Sequence, residues 1–252
     1  MSFYFDNMLL VFFSFFRATG LILVTPFLGG KNIPMLLKVS FGFFLSFFSV
    51  CNLDYSIHLN GVFQVLVFAF GEILVGLLMG FSIAFIFSAA DFAGSIISSE
   101  SSLIASSAFD LNEKKNFTLI GKLYFYLIVV LIFVSGSHLK ILYSYFQSFS
   151  IVPVGALLYE SVDVRYFLNL FSRVFILGLQ VAIPVISINF LVNFSFSFLG
   201  KAVPKMNVFV SSFGVRILGA FAMLYFTVSL TINYFLSDIT FISKRMLSLF
   251  GG

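Results

Sequence analysis

Long apolar runs alternate with short polar interruptions from one end of this chain to the other. The runs cover residues 8–28, 39–53, 62–90, 117–137, 141–158, 174–200 and 206–236. A helix that crosses a bilayer needs about 20 mostly apolar residues, and most of these runs approach or exceed that length. The count is six or seven apolar segments, according to whether 141–158 is one: Pro153 falls inside it and would break or kink a helix, which suits an interfacial or re-entrant piece. Run 174–200 spans about 40 Å as a helix, more than a hydrocarbon core of about 30 Å, so tilt, a kink at Pro184 or extension beyond the bilayer is expected. The predicted fold class is all-α: a polytopic protein of long, kinked helical hairpins.

Polar positions inside the runs carry the next layer of information. Arg17 lies in the middle of the first run, where a charge is costly and must face protein and find a partner. In run 62–90, Gly76, Gly80, Ala84 and Ser88 recur every four residues, which lines one helix face with small side chains and lets another helix approach closely. Glu72 lies one turn earlier on that stripe, so it points into a helix contact. Its expected states are a pair with Arg17, a pair with a base on another subunit, or protonation; a structural pair is preferred over a proton-relay role. Asn189, Asn193 and Ser197 form a polar stripe in run 174–200, read as interhelical hydrogen bonding.

One stretch, residues 94–116, breaks the apolar pattern. Seven of the thirteen residues from 95 to 107 are serine: Ser95, Ser98, Ser99, Ser101, Ser102, Ser106 and Ser107. Asp110, Glu113, Lys114 and Lys115 follow. In lipid such a segment would leave polar groups unsatisfied, so it must be buried in protein, line water or lie outside the bilayer. By composition it reads as a polar connector between two membrane helices; the sharper alternative is a movable loop that occludes a pore.

Composition narrows the class further. Of 252 residues, 60% are hydrophobic and 10% charged, with 39 Phe and no Trp, and mean hydropathy is +1.11. Soluble domains carry about 25% charged residues, so a solvent-covered globule is excluded. The net charge of +4 is spread singly at segment ends, as membrane flanks are, and no nucleic-acid patch forms. In a seven-segment count, the basic residues favour a cytoplasmic C-terminus. Cys51 is the single cysteine, and His58 and His138 are far apart, so neither a disulfide nor a metal site is expected. Asp6 ahead of the first run and Arg17 within it argue against a cleaved leader. No phosphate-binding loop, zinc-protease motif or nucleophile elbow occurs, so no catalytic residues and no cofactor are expected. Transport or assembly remains.

Four stretches in order resemble one family: 15–46 (FFRATGLILVTPFLGGKNIPMLLKVSFGFFLS), 71–85 (GEILVGLLMGFSIAF), 135–155 (SGSHLKILYSYFQSFSIVPVG), and 182–209, where AIP precedes a long apolar run and then PKMNVF. Together they are similar to the FliR family, the R-type subunits of the flagellar export gate and their injectisome counterparts. The chain departs from the family at Lys205, where Gln is usual; at Ser99–Ser102, where a Gln-Met-Gly-like element is common; and at Leu111, where a Pro often follows the residue matching Asp110.

The resemblance implies a non-enzymatic component of a type III export gate, through which unfolded flagellar proteins pass. It implies assembly with P-type and Q-type subunits into a helical pore complex, contact with the B-type export subunit and with exported proteins, and residence in the bacterial inner membrane at the flagellar basal body. It implies that residues 1–165 are P-subunit-like and 166–252 form a Q-subunit-like hairpin. In this light the plug reading of 94–116 is favoured over the connector, with Ser95, Ser98, Ser99, Ser101, Ser102, Ser106, Ser107 and Asp110 as its residues. Arg17, Glu72, Gly76 and Gly80 stand as packing or ion-pair residues, and Pro204, Met206, Asn207 and Phe209 as the hairpin-turn motif. The alternatives are an injectisome gate subunit and a small-molecule secondary transporter. Against the latter, no paired half-repeat is visible.

Overall fold

Backbone amides and carbonyls have no water to bond in hydrocarbon, so apolar runs of this length fold as helices that satisfy them internally. The computed structural model describes residues 2–30, 33–50, 61–103, 118–155, 163–203 and 207–250, and all regular structure among them is helical. The elements are α1 (Ser2–Val24), α2 (Pro26–Gly29), α3 (Met35–Val50), α4 (Val62–Glu100), α5 (Leu119–Val134), α6 (Ser137–Ile151), α7 (Val164–Ala202), α8 (Val208–Arg245) and a closing 3-10 turn (Met246–Phe250). Each of the seven apolar runs contributes one of the longer helices. By length and composition, α4, α7 and α8 can each cross a membrane, and α5 with α6 makes a fourth candidate if the two are halves of one broken span.

Breaks fall where the backbone chemistry puts them. Pro26 has no amide hydrogen to give, so α1 stops at Val24 and Pro26 starts the short α2. Thr118 caps α5 by accepting the Gly121 amide at 3.1 Å. Gly136, at φ +68°, separates α5 from α6 in a conformation that glycine adopts without strain. Pro153 ends α6: Val152 is already extended, at φ −119° and ψ 89°, as a residue before proline prefers. The 141–158 run is thus a helix that stops at Ile151.

Helix α7 has 39 residues and α8 has 38, about 58 and 57 Å long, roughly twice a hydrocarbon core. Pro184 lies within a continuous α7. The helix starts ahead of the apolar run at 174 and takes in Arg165 and Arg173. Arg173 is accommodated there by pairing with Asp238.

The chain forms two compact units. The first comprises residues 1–85, 136–170 and 239–252, and the second 86–135 and 171–238. This division is of a different kind from the boundary expected at residue 165, which concerns likeness to other subunits. In the first unit α3 packs on α1 through Gly42, Leu45, Ser46 and Ser49, spaced along one helix face, while Phe43, Phe44, Phe47 and Phe48 point outward. In the second, α4 and α5 cross at Gly94 and Gly121, where a side chain on Gly94 would strike the Gly121 backbone.

Candidate functional site

The first unit is organised around a buried charge pair. Arg17 is 0% exposed and Glu72 3%. The guanidinium Nε donates to Glu72 Oε2 at 2.6 Å, Nη1 to Ser148 Oγ at 2.9 Å and Nη2 to the Val152 carbonyl at 2.9 Å. Its carbon lies 3.9 Å over the Phe149 ring. The second carboxylate oxygen, Oε1, accepts from the Gly155 amide at 3.4 Å. One side chain of α1 therefore grips α4 and the C-terminal end of α6. A guanidinium placed there satisfies a carbonyl that the helix cannot, and opposes the negative end of its dipole. The break at Pro153 supplies that carbonyl, and Gly155, at φ +83° against the Phe68 ring, brings the chain back to Glu72.

Close approach of α1 and α4 makes this reach possible. A side chain on Gly76 would collide with the Arg17 carbonyl, and one on Gly80 would come 2.9 Å from the Leu21 carbonyl. Gly20 reciprocates: a β-carbon there would meet the backbone of Ile73, Gly76 and Leu77. Ser148 also donates to the Tyr145 carbonyl at 2.7 Å, and the Tyr145 hydroxyl donates to the Ser14 carbonyl at 3.0 Å. Ser14 in turn bonds Ser49 on α3. Every heteroatom of the Arg17–Glu72 pair is thereby engaged, which makes it a tie between helices. Among the described residues no group of three or more His, Cys, Asp and Glu stands together as metal ligands would.

The second unit holds the described part of the serine-rich stretch. Residue 94 does not open the loop expected there: α4 runs on through Glu100. Serine is a weak helix former in isolation, but here Ser95 and Ser99 return their hydroxyls to the carbonyls of Phe92 and Ile96, each at 2.8 Å. Ala93 and Ile97 are fully buried on the opposite side. Tertiary packing therefore overrides local preference. The helix stops with paired bonds, Leu103 N–H to the Ser98 carbonyl at 2.9 Å and Ser102 N–H to the Ser99 carbonyl at 3.1 Å. That pattern places the stop residue in the left-handed region, usually as glycine. Here it is Ser102, at φ +59°, a conformation that costs a side-chain-bearing residue about 1–2 kcal/mol.

Ser95 and Ser99 are exposed, whereas Ser98 and Ser101 are buried. Ser101 Oγ accepts from Asn189 Nδ2 of α7 at 3.4 Å. Of the polar stripe on α7, Asn189 is buried while Asn193 and Ser197 are exposed, and the Ser197 hydroxyl turns back to the Asn193 carbonyl. Ser106, Ser107 and Asp110 lie outside the described residues.

At the hairpin turn, Asn207 caps α8, its Oδ1 accepting from Val210 N–H at 3.3 Å. Phe209 falls in the first turn of α8, and Pro204 and Met206 lie outside the described residues. Gly200 leaves room for the Val208 side chain, which lets the two helix ends close together.

Several contributors escape a reading of the sequence. Ser148 and Tyr145 look like ordinary residues of an amphipathic helix. Gly20 is a lone glycine, although its place three residues after Arg17 puts it on the same face, and this is the signal that was available.

Comparison with known proteins places this architecture. The flagellar biosynthetic protein FliR of Bacillus subtilis (strain 168) is 27% identical over 213 residues, 83% of this chain and 82% of the relative. The FliR of Aquifex aeolicus (strain VF5) is 29% identical over 199 residues, 78% of this chain and 76% of the relative. The Yop proteins translocation protein T of Yersinia pestis is 27% identical over 148 residues, 58% of this chain and 56% of the relative. The model of the bacterial export proteins, family 1, matches residues 8–241, nearly the whole chain, and this chain belongs to that family.

Proposed function

We propose that this protein is a non-enzymatic subunit of the flagellar type III protein export gate, and that the serine-rich stretch 94–116, which begins within the last turns of α4, closes its pore. The family match across residues 8–241 carries the first part, together with the flagellar names of relatives that cover most of the chain. The apolar helices make it a membrane protein, placed in this reading in the inner membrane at the flagellar basal body. Its partners would be P-type, Q-type and B-type export subunits, with residues 1–165 P-subunit-like and 166–252 a Q-subunit-like hairpin.

Supporting the plug are the run of small hydroxylated residues and the charged residues beyond it. Small side chains fill a narrow lumen without large apolar contacts, so displacing them takes little free energy, and a charged rim hydrates readily. The buried Arg17–Glu72 tie then serves as scaffold. The match to the Yersinia protein favours, as a second reading, the same role in an injectisome.

Native mass spectrometry after co-expression with P- and Q-type subunits from the same genome tests the assembly. One copy in a multi-subunit complex is expected; a lone monomer or homodimer indifferent to those subunits overturns the reading. Deleting residues 104–112, which leaves Ser98 and Ser101 in place, should make the assembled gate leaky to ions without preventing assembly. A deletion complex as tight as the unaltered one removes the plug assignment.

A further inference from the structure

The end of α8 is fastened to the start of α7, and three bases gather where they meet. Asp163 N–H donates to the Leu249 carbonyl at 2.8 Å, which ties the residue ahead of α7 to the 3-10 turn that closes α8. Met246, Leu249 and Phe250 of that turn are buried, as is Tyr166 in the first turn of α7, so the junction is packed as well as bonded. Arg165 follows the bond by two residues, and Lys244 and Arg245 directly precede the turn. Four residues of a 3-10 turn rise only about 8 Å, which keeps Arg245 close to the bond. All three bases are exposed. Residues about eighty positions apart in the chain thus share one surface of the first unit.

Neither pairing nor the helix dipole accounts for this group. Among the described residues no carboxylate forms an ion pair with any of the three, and Oδ1 of the nearby Asp163 accepts from the Arg165 backbone N–H at 2.9 Å. Lys244 and Arg245 suit the negative end of α8, but Arg165 lies in the first turn of α7, where the dipole opposes a positive charge. What surrounds the bases is apolar. Val164 and Leu168 are exposed beside Arg165, and the Arg245 guanidinium carbon lies 4.9 Å over the Phe241 ring, one turn back along α8. Three cations stand at the ends of two helices that are long and apolar enough to cross a membrane, next to exposed aliphatic side chains. That arrangement complements a molecule with an anionic head and hydrocarbon tails.

We propose that Arg165, Lys244 and Arg245 bind the phosphate headgroup of an anionic phospholipid whose acyl chains lie along Val164 and Leu168. The site is independent of the plug reading and needs only the membrane character of the chain. The test uses the full chain purified in mild detergent. Native mass spectrometry follows bound lipid during titration with phosphatidylglycerol, or with phosphatidylcholine of the same acyl chains. Phosphatidylglycerol should bind more tightly. Arg165→Gln and Lys244→Gln should each weaken its binding about fivefold, and neutralising all three bases should abolish the preference over phosphatidylcholine. Arg165→Lys should keep it, and so should Lys201→Gln at the other end of α7.

Equal binding of the two lipids, or a preference unchanged in the triple variant, overturns the proposal. An equal loss in Lys201→Gln overturns it too, since that marks a general attraction to net positive charge. Inorganic phosphate in large excess should leave the lipid bound, because the acyl chains help to hold it; displacement would show a site for the free anion instead. If the triple variant keeps the lipid preference but no longer co-purifies with other export subunits, the bases face an acidic protein surface and the lipid site is wrong. The three side chains are exposed, so their neutralisation leaves the packing intact. Should the triple variant nevertheless fail to purify, Arg165→Gln measured against Arg165→Lys decides the matter.

Discussion

The two compact units treat buried polar groups in opposite ways. In the first, the Arg17 guanidinium and the Glu72 carboxylate find a partner for every atom that needs one, across three helices and a loop. In the second, Ser98, Ser101 and Asn189 are equally buried, yet among the described residues they share one long bond and leave Ser98 Oγ and Asn189 Oδ1 without partners. A fully satisfied polar network rigidifies and sets register, whereas a half-satisfied one is held loosely. The contrast sets a fully tied helix contact beside a sparsely tied one within a single chain.

The strongest way to break the comparison is to strand a charge. Glu72→Ala leaves Arg17 buried without its counter-ion and should destabilise the protein by about 3–5 kcal/mol. The expected result is loss of assembled complex by native mass spectrometry and a large fall in apparent Tm in detergent. Replacing both ions, as Arg17→Met with Glu72→Leu, should recover much of that loss, because a buried pair contributes little over well-packed apolar side chains. A double variant as unstable as Glu72→Ala would mean that the hydrogen bonds to Ser148 and Val152 carry the tie.

Next in size is the helix contact that lets the pair form. Gly76→Ala places a methyl group on the Arg17 carbonyl and should cost about 1–3 kcal/mol through forced separation of α1 and α4. Gly71→Ala, five residues earlier on the same helix, meets nothing within 4 Å. It should be neutral or stabilising by up to ~1 kcal/mol from helix propensity. Equal effects of the two substitutions on apparent Tm would show that the close contact does not form.

The smallest effect is on the second unit. Ser102→Gly removes the left-handed strain and should stabilise the end of α4 by roughly 1 kcal/mol. Hydrogen exchange of the Ser101 to Leu103 amides, slowed about fivefold in the assembled complex, is the readout. Unchanged or faster exchange would mean that the helix stop is not strained.

Some of this architecture is plain in the chain and some is not, for identifiable reasons. Pro153 announces the end of α6, because a missing amide hydrogen acts locally whatever surrounds it. The glycines at positions 76 and 80 announce a close helix contact through their spacing, but not its partner: Gly20 and the Arg17 carbonyl lie some sixty residues away in sequence. The serine-rich stretch misleads about its own beginning. Isolated serines favour loops, and only burial of Ala93, Ile97 and Ser98, with hydroxyls turned back to the backbone, keeps the helix going to Glu100.

The order of apolar runs determined by itself that this is an all-helical membrane protein. A central arginine in the first run required a buried partner, and a small-residue stripe required a neighbouring helix. Four motifs in order pointed to the export family. Tertiary structure alone decided that Arg17 pairs with Glu72 rather than with another subunit, that the Val152 carbonyl completes the site, and that Asn189 reaches Ser101. Burial, charge and spacing are properties a chain carries along its length. The choice among several possible partners depends on which faces of distant helices come together, and that is settled only when they pack.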